Sequence, residues 1–146
     1  MITTGFLQNR VLATIPSTAY TVESGDSRNG PYEEIIPTNP MAAQMTVWAN
    51  EGYCDIFFGR AFQIELARTD DEFLAELIDA VLLGHIAEVI WLRKEGSNHS
   101  FSKSVIQLAN RKSGCTWGIP FIYPPWWRRK YSYEPYVAAA SSASTK

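Results

Sequence analysis

The feature that most constrains this fold is an amphipathic helix predicted for residues 69–84, TDDEFLAELIDAVLLG. Thr69 and Glu72 have the spacing of a capping box, in which two side chains satisfy backbone amides at a helix start. Gly84 suits the position after a helix, because glycine adopts the left-handed conformation without strain. Apolar residues at helical spacing predict one buried stripe, formed by Phe73, Leu74, Leu77, Ile78, Val81 and Leu82. Such a helix needs a partner layer, and we expect a sheet.

Segments on both sides of this helix alternate as half-buried strands do. Before it, three β-forming segments lie between residues 41 and 67, separated by turn signals at 50–52 and 59–60. After it, residues 85–109 predict a hairpin whose first strand is apolar on both faces and therefore central. The order β-β-β-α-β-β predicts an α+β fold, with the helix packed on one face of a mainly antiparallel sheet.

The predicted core, residues 41–109, belongs to a single domain over residues 1–136, a length sufficient for a substantial core. Residues 1–40 are expected to form an arm and a loop, because their apolar residues lack a clean period and residues 23–32 are rich in Gly, Ser, Asn and Asp. Residues 110–136 contain four prolines and eight aromatic residues, and predict an extended segment that wraps over the sheet. Residues 137–146 are expected to form a flexible tail.

Composition and charge argue against several classes of function. The formal net charge of −2 provides no general attraction to nucleic acid or anionic membranes. No stretch approaches the roughly 20 apolar residues of a membrane span, and the N-terminal region lacks the pattern of a signal peptide. Cys54 and Cys115 make neither a zinc site nor a disulfide framework. We expect a cytoplasmic protein with free thiols, and a single disulfide is the alternative.

No catalytic or cofactor-binding motif emerges from the sequence. Cys54 beside Asp55, with His85 or His99, has the residue types of a nucleophilic site, but no local motif supports one. The acids at 70–72 are explained by their place at the positive end of a helix dipole. Glycines are single and scattered, and the histidines lack a metal-binding spacing. We therefore predict no catalytic residue, no metal and no cofactor.

The segment PPWWRRKY is the first of two candidate surfaces for binding another macromolecule. It places Trp126 and Trp127 beside Arg128 and Arg129, and Trp and Arg dominate many binding interfaces. Two adjacent tryptophans of an extended segment cannot both point inward, so we expect one to be exposed. The alternative is that the tryptophans cover the core while the cations are solvated. Nucleic acid is disfavoured as a partner, because one basic cluster makes few phosphate contacts.

The second candidate surface is the acidic face of the predicted helix, formed by Glu72, Glu76 and Asp79. Such a face is ordinarily a solvated surface. Its alternative role is to dock a basic partner through complementary charge.

The strands DIFFGRAFQIEL and HIAEVIWLRKEG, with the helix between them, carry a resemblance to one class of proteins. In type, residues 41–109 resemble the small, acidic immunity proteins that bacteria pair with secreted toxins. The resemblance implies a non-enzymatic protein that binds and neutralises one cognate toxin, with the helix face or residues 126–130 as its docking surface.

Two alternatives to an immunity protein stay open. The first is a small enzyme whose site is assembled from several strands, and a pocket holding His85 or Cys54 with a converging acid would favour it. The second is an adaptor or chaperone for a secreted effector, which dimerisation through the aromatic segment would favour.

Overall fold

The computed structural model of the chain describes residues 1–28, 30–94, 96 and 98–138. Over these residues the chain has two α-helices and nine strands, which form two antiparallel sheets. The predicted α+β class is confirmed, and the predicted β-β-β-α-β-β core is present as β3-β4-β5-α2-β6-β7. The helices are α1 (Phe6–Thr14) and α2 (Asp71–Leu82).

The first sheet is a meander in which each strand pairs with the next one along the chain. It consists of β1 (Tyr20–Ser27), β2 (Gly30–Pro37), β3 (Met45–Ala49), β4 (Tyr53–Phe58) and β5 (Phe62–Ala67). The second sheet has the order β8-β7-β6-β9. Its strands are β6 (Ile86–Trp91), β7 (Phe101–Gln107), β8 (Lys112–Gly118) and β9 (Arg128–Ser132). The strand β6 is therefore internal, as predicted.

The helix α2 buries the predicted stripe, because Leu74, Leu77, Ile78 and Val81 are fully inaccessible to solvent. These side chains belong to one hydrophobic cluster that includes residues of both helices and both sheets. The helix α1 packs on α2 and β2, α2 contacts β7, and β5 lies against β7 and β8. The helix and the edge strand β5 thus join the two sheets through shared apolar burial.

The two ends of α2 differ in how well the sequence predicts them. The capping box is wrong: the N-cap is Asp70, one residue after Thr69, so Glu72 is in the second helical position instead of the third, and no side chain caps the helix. The predicted glycine end is confirmed, because Gly84 has a φ of +79°. Its amide bonds to the Val81 carbonyl at 2.9 Å and the next amide bonds to Ala80, the pattern of a Schellman motif.

Residues 1–40 are more regular than predicted. The arm contains α1, which buries Leu7 and Val11 one helical turn apart. The predicted loop at 23–32 forms the β1–β2 hairpin, and β2 continues to Pro37. Most of β1 is exposed, and its backbone pairing needs no apolar side chains. A pattern of hydrophobicity therefore missed it.

Residues 110–136 are extended in part, but they pair with the second sheet instead of wrapping over one. They include β8 and β9, which form its two opposite edges. Prolines are tolerated there because they fall in the connection between the strands and after β9. The predicted tail, residues 137–146, lies almost wholly outside the described residues, and the single-domain division stays a prediction.

One buried carboxylate connects the two sheets. Glu88 on β6 is 1% exposed. Its Oε1 accepts hydrogen bonds from the Arg60 amide at 2.8 Å and the Tyr133 hydroxyl at 2.5 Å. Its Oε2 accepts from the Ala61 amide and the Ser104 hydroxyl, both at 2.7 Å. Burial, reinforced by the Glu88 charge, raises the pKa of Tyr133 well above its usual value. The carboxylate thereby fixes the β4–β5 turn of the first sheet on the inner face of the second.

Substitution of Gly59 tests how much the hydrogen bonds of Glu88 contribute to the free energy of unfolding. Its φ is +64°, and a Cβ there would lie 2.6 Å from the Glu88 Oε1 atom. Gly52 has a comparable φ of +83° with open space around it. We expect Gly52→Ala to cost about 1–2 kcal/mol of unfolding free energy from backbone strain alone. Gly59→Ala should cost about 2 kcal/mol more, because it also displaces a buried hydrogen-bonded carboxylate.

The measurement is urea denaturation of both variants and the unchanged chain, followed by circular dichroism. Equal losses in the two variants would show that the Glu88 connection contributes little to stability.

Candidate functional site

The two tryptophans predicted to bind a partner occupy a short 3-10 turn, Pro125–Trp127, just before β9. Trp126 is 74% exposed. Trp127 is partly buried and stacks on Tyr123, with ring centroids 5.6 Å apart and planes inclined by 23°. The expectation that one of the pair is exposed is confirmed.

Trp126 is one of five strongly exposed apolar side chains that lie close together in the sequence, and we call this set the aromatic platform. It comprises five side chains with these exposed fractions: Trp117 (47%), Ile119 (73%), Phe121 (76%), Ile122 (92%) and Trp126 (74%). Trp117 is near the end of β8, and the other four lie between β8 and β9. Exposed apolar side chains are common singly, but such a concentration is typical of an interaction surface. Of these five side chains, only Trp126 was predicted to bind a partner. The sequence signal for three of the others is the run at residues 119–122, which contains no polar residue.

The loop that carries the platform is held in place at both ends. Gly118 has a φ of +92°, and a Cβ there would lie 2.2 Å from the Ser100 carbonyl oxygen, so the chain passes β7 at close range. Within the loop, the Tyr123 hydroxyl donates to the Ile119 carbonyl at 2.5 Å. At the far end, the Leu92 amide bonds to the Trp127 carbonyl at 3.0 Å. A surface held this way loses less conformational entropy on binding than a flexible one.

The two predicted arginines have different positions. Arg128 is exposed on the outer face of β9. Arg129 is partly buried, and its guanidinium donates to the Trp126 carbonyl at 2.6 Å. Arg128 is therefore available to a partner, whereas Arg129 supports the turn that displays Trp126.

The predicted acidic face of α2 is largely engaged within the chain. Asp79 forms a two-point ion pair with Arg10, whose Nε lies 2.9 Å from the carboxylate, and this hydrogen bonding raises the pKa of Arg10. Glu76 pairs with Arg111 at 3.4 Å, while Glu72 is exposed. The pair with Arg111 lies at the start of β8, and the platform begins at its other end, roughly 20 Å away at about 3.3 Å per residue. The two candidate surfaces are thus separate.

A groove of about 510 Å³ contains His85 together with Glu76 and Asp79. This is the kind of pocket expected for the small-enzyme alternative. However, both carboxylates are paired with arginines, and among the described residues no hydrogen bond joins the His85 side chain to either. Nor does any group of three or more His, Cys, Asp or Glu side chains in the described part of the chain suit a metal ion.

Cys54, the other candidate of the enzyme alternative, is fully buried in β4. Burial raises the pKa of its thiol, which disfavours the reactive thiolate. Both cysteines are free, as expected, and Cys115 is partly exposed on β8.

A second cleft, of about 400 Å³, lies between the β4–β5 turn and the second sheet. Trp117 lines it and also belongs to the platform, and His99 meets the Trp117 ring edge-on at a centroid distance of 4.8 Å. Arg60 lines it as well and stacks over Tyr131 at 4.2 Å. The platform therefore continues into a concave site with polar donors.

Comparisons of the chain with protein-family models, with curated proteins and with solved structures found no match. Of the helices in the described part of the chain, none has the length and apolar character needed to span a membrane.

The cysteines permit a direct check of these environments. We expect iodoacetamide to modify Cys115 in the native protein, because this residue is partly exposed, and to modify Cys54 only after unfolding. Peptide mass spectrometry after short exposures, with and without guanidinium chloride, measures both rates. Rapid native modification of Cys54 would contradict its assignment as a buried, inert thiol.

Proposed function

We propose that this protein is a protein-binding module whose contact surface is centred on the aromatic platform. The observation that carries the proposal is the concentration of five large exposed apolar side chains at the end of β8 and on the following loop, which is held by backbone hydrogen bonds. Tryptophan and other aromatic residues are enriched where interfaces derive most of their binding energy.

The energetics of the platform support a partner of macromolecular size. Burying one large apolar side chain contributes roughly 1.5–3 kcal/mol. Association costs roughly 4–15 kcal/mol in lost translational and rotational freedom. The platform is therefore large enough to offset much of this cost, and a stable complex also needs contacts beyond it.

Within this class we propose an immunity protein that neutralises a cognate toxin or effector. The support is the resemblance in type of residues 41–109, together with the exposed platform beside predicted residues 126–129. Of the two predicted docking surfaces, the helix face is the weaker candidate, because Glu76 and Asp79 already have intramolecular partners.

The test compares two double variants used as bait in lysate from the native organism. Ile122→Ala with Trp126→Ala removes the most exposed side chain of the platform and the exposed tryptophan of the turn before β9. Leu12→Ala with Leu83→Ala removes two comparably exposed residues elsewhere, 56% and 59% accessible. We expect the platform variant to lose a stoichiometric partner that the unchanged chain and the control retain, because each lost anchor weakens binding by roughly 1–4 kcal/mol.

Thermal unfolding must show that both variants remain folded. A partner recovered equally by all baits would contradict the proposal. For the immunity role, co-expression with the neighbouring gene should relieve growth inhibition with the unchanged chain and fail with the platform variant; the absence of any inhibition to relieve would contradict that role alone.

A second candidate is the small enzyme, favoured by the groove that brings His85 near Glu76 and Asp79. If His85 were a general base, His85→Gln would abolish hydrolysis of an activated ester such as p-nitrophenyl acetate, while His99→Gln would retain it. We expect no difference between the two variants, because both carboxylates are held by arginines. A loss specific to His85→Gln would favour the enzyme.

The adaptor or chaperone alternative would use the same platform for self-association. Light scattering separates it from the binding-module proposal. A dimer that the platform variant converts to monomers would favour the adaptor.

A further inference from the structure

Charge is strongly segregated along this chain. Residues 1–84 contain four Lys or Arg and twelve Asp or Glu, whereas residues 85–146 contain nine Lys or Arg and three Asp or Glu. All four strands of the second sheet come from the second part. A net charge of −2 for the whole chain thus conceals a basic sheet.

Strand register places four of these cations on one face of the second sheet. On β6, the residues Ile86, Glu88 and Ile90 point inward, so the alternate positions point outward. Val89, an outward residue, is paired with Lys103 on one side and Lys130 on the other. By the same register two further cations share this face, and we call the whole set the basic face: Lys103, Lys112, Arg128 and Lys130.

Among the residues that the structure describes, no acid on the strands compensates the basic face. All residues of β6, β7, β8 and β9 are described, and no Asp or Glu occupies an outward position on them. The four cationic side chains are exposed, and none forms an ion pair with another described residue. Unpaired like charges on one surface create a positive potential that attracts an anionic partner.

The basic face borders the loop that carries most of the aromatic platform. Arg128, Trp91, Phe101 and Gly118 form one row across the sheet, from the edge strand β9 to the edge strand β8. Residues 119–127, which carry most of the platform, connect the two ends of this row. The loop that carries Ile119, Phe121, Ile122 and Trp126 therefore borders the basic face at one end of the sheet, whereas Trp117, paired with the buried Ser102, lies on the inner face.

We propose that the platform and the basic face form one docking surface for an acidic polypeptide segment that also carries apolar residues. This inference rests on the proposed function and adds the chemistry of the partner. The apolar residues of the segment bury the platform, and its carboxylates pair with the four cations. This arrangement, an apolar centre bordered by complementary charges, is common in protein interfaces.

A polypeptide fits this surface better than a single-stranded nucleic acid does. Ile119 and Ile122 are among the most exposed platform residues, and aliphatic side chains offer no ring on which a base can stack. On the basic face itself, Phe101 is only 8% exposed, and Lys103 lies over its ring at 5.9 Å. The strongly exposed rings, such as Phe121 and Trp126, thus belong to the platform, and among the described residues no ring on the basic face is strongly exposed beside the cations.

The experiment selects a phage-displayed library of random dodecapeptides on the immobilised full chain. We expect the enriched peptides to carry net negative charge and at least one large apolar residue. A synthetic enriched peptide should bind about tenfold more weakly to Lys130→Glu than to the unchanged chain. Arg28→Glu makes the same charge change at an exposed position on the β1–β2 turn and should leave the affinity unchanged. Binding should also weaken as salt rises.

Several results would overturn the proposal. These are the absence of enrichment, enrichment of neutral or basic peptides, and equal affinities of Lys130→Glu and Arg28→Glu. Tighter, Lys130-dependent binding of a 20-nucleotide oligothymidylate would identify nucleic acid as the occupant instead. A salt-sensitive dimer in light scattering, lost in Lys130→Glu, would identify a second copy of the chain.

Binding of the same peptide to two variants distinguishes the proposal of an acidic partner from the proposal that the platform binds proteins. If Ile122→Ala with Trp126→Ala abolishes binding and Lys130→Glu does not, the platform binds proteins and the acidic-partner inference is wrong. If Lys130→Glu abolishes binding and the platform variant does not, the basic face binds acidic peptides without the platform, which contradicts the proposed function.

Discussion

The buried carboxylate of Glu88 is the interaction on which the relation of the two sheets depends. An ionised side chain removed from water is tolerated only where hydrogen bonds replace its hydration. Here two backbone amides of the β4–β5 turn and two hydroxyl groups provide that replacement. Because amides of the first sheet bind a side chain of the second, the sheets cannot shift relative to each other without leaving a buried charge unsatisfied.

Because the core is complete without them, the exposed apolar side chains of the molecule need another explanation. The hydrophobic cluster already buries the apolar stripe of α2 and the inner faces of the strands, so the core does not need the platform side chains. The platform loop is nevertheless ordered by Gly118, Tyr123 and the bond between Leu92 and Trp127. Apolar side chains that are both exposed and held in position are explained more simply by a partner than by packing.

The charged side chains of the helix α2 and those of the second sheet differ in whether they have partners within the chain. Two carboxylates of α2, Asp79 and Glu76, are paired with arginines from α1 and from the turn before β8, so the helix surface is partly neutralised. The four cations of the basic face have no such partners among the described residues. Intramolecular pairing therefore weakens the acidic face of α2 as a binding surface and leaves the basic face accessible to a partner. The negative net charge of the chain alone would suggest the opposite, a basic partner for an acidic surface.

The sequence by itself determined α2, its glycine end and the strands β3 to β7, because their apolar spacing records which face each element buries. It also determined that one of two adjacent tryptophans is exposed. Glu88 shares the inward alternation of Ile86 and Ile90, but only the tertiary structure supplied its four hydrogen-bond donors. Likewise, β1, β8 and β9 are edge strands held by backbone pairing, which leaves little trace in hydrophobicity. The basic face was decided by tertiary structure for the same reason: register between strands distant in sequence aligns Lys103 with Lys130, and no local pattern encodes that register.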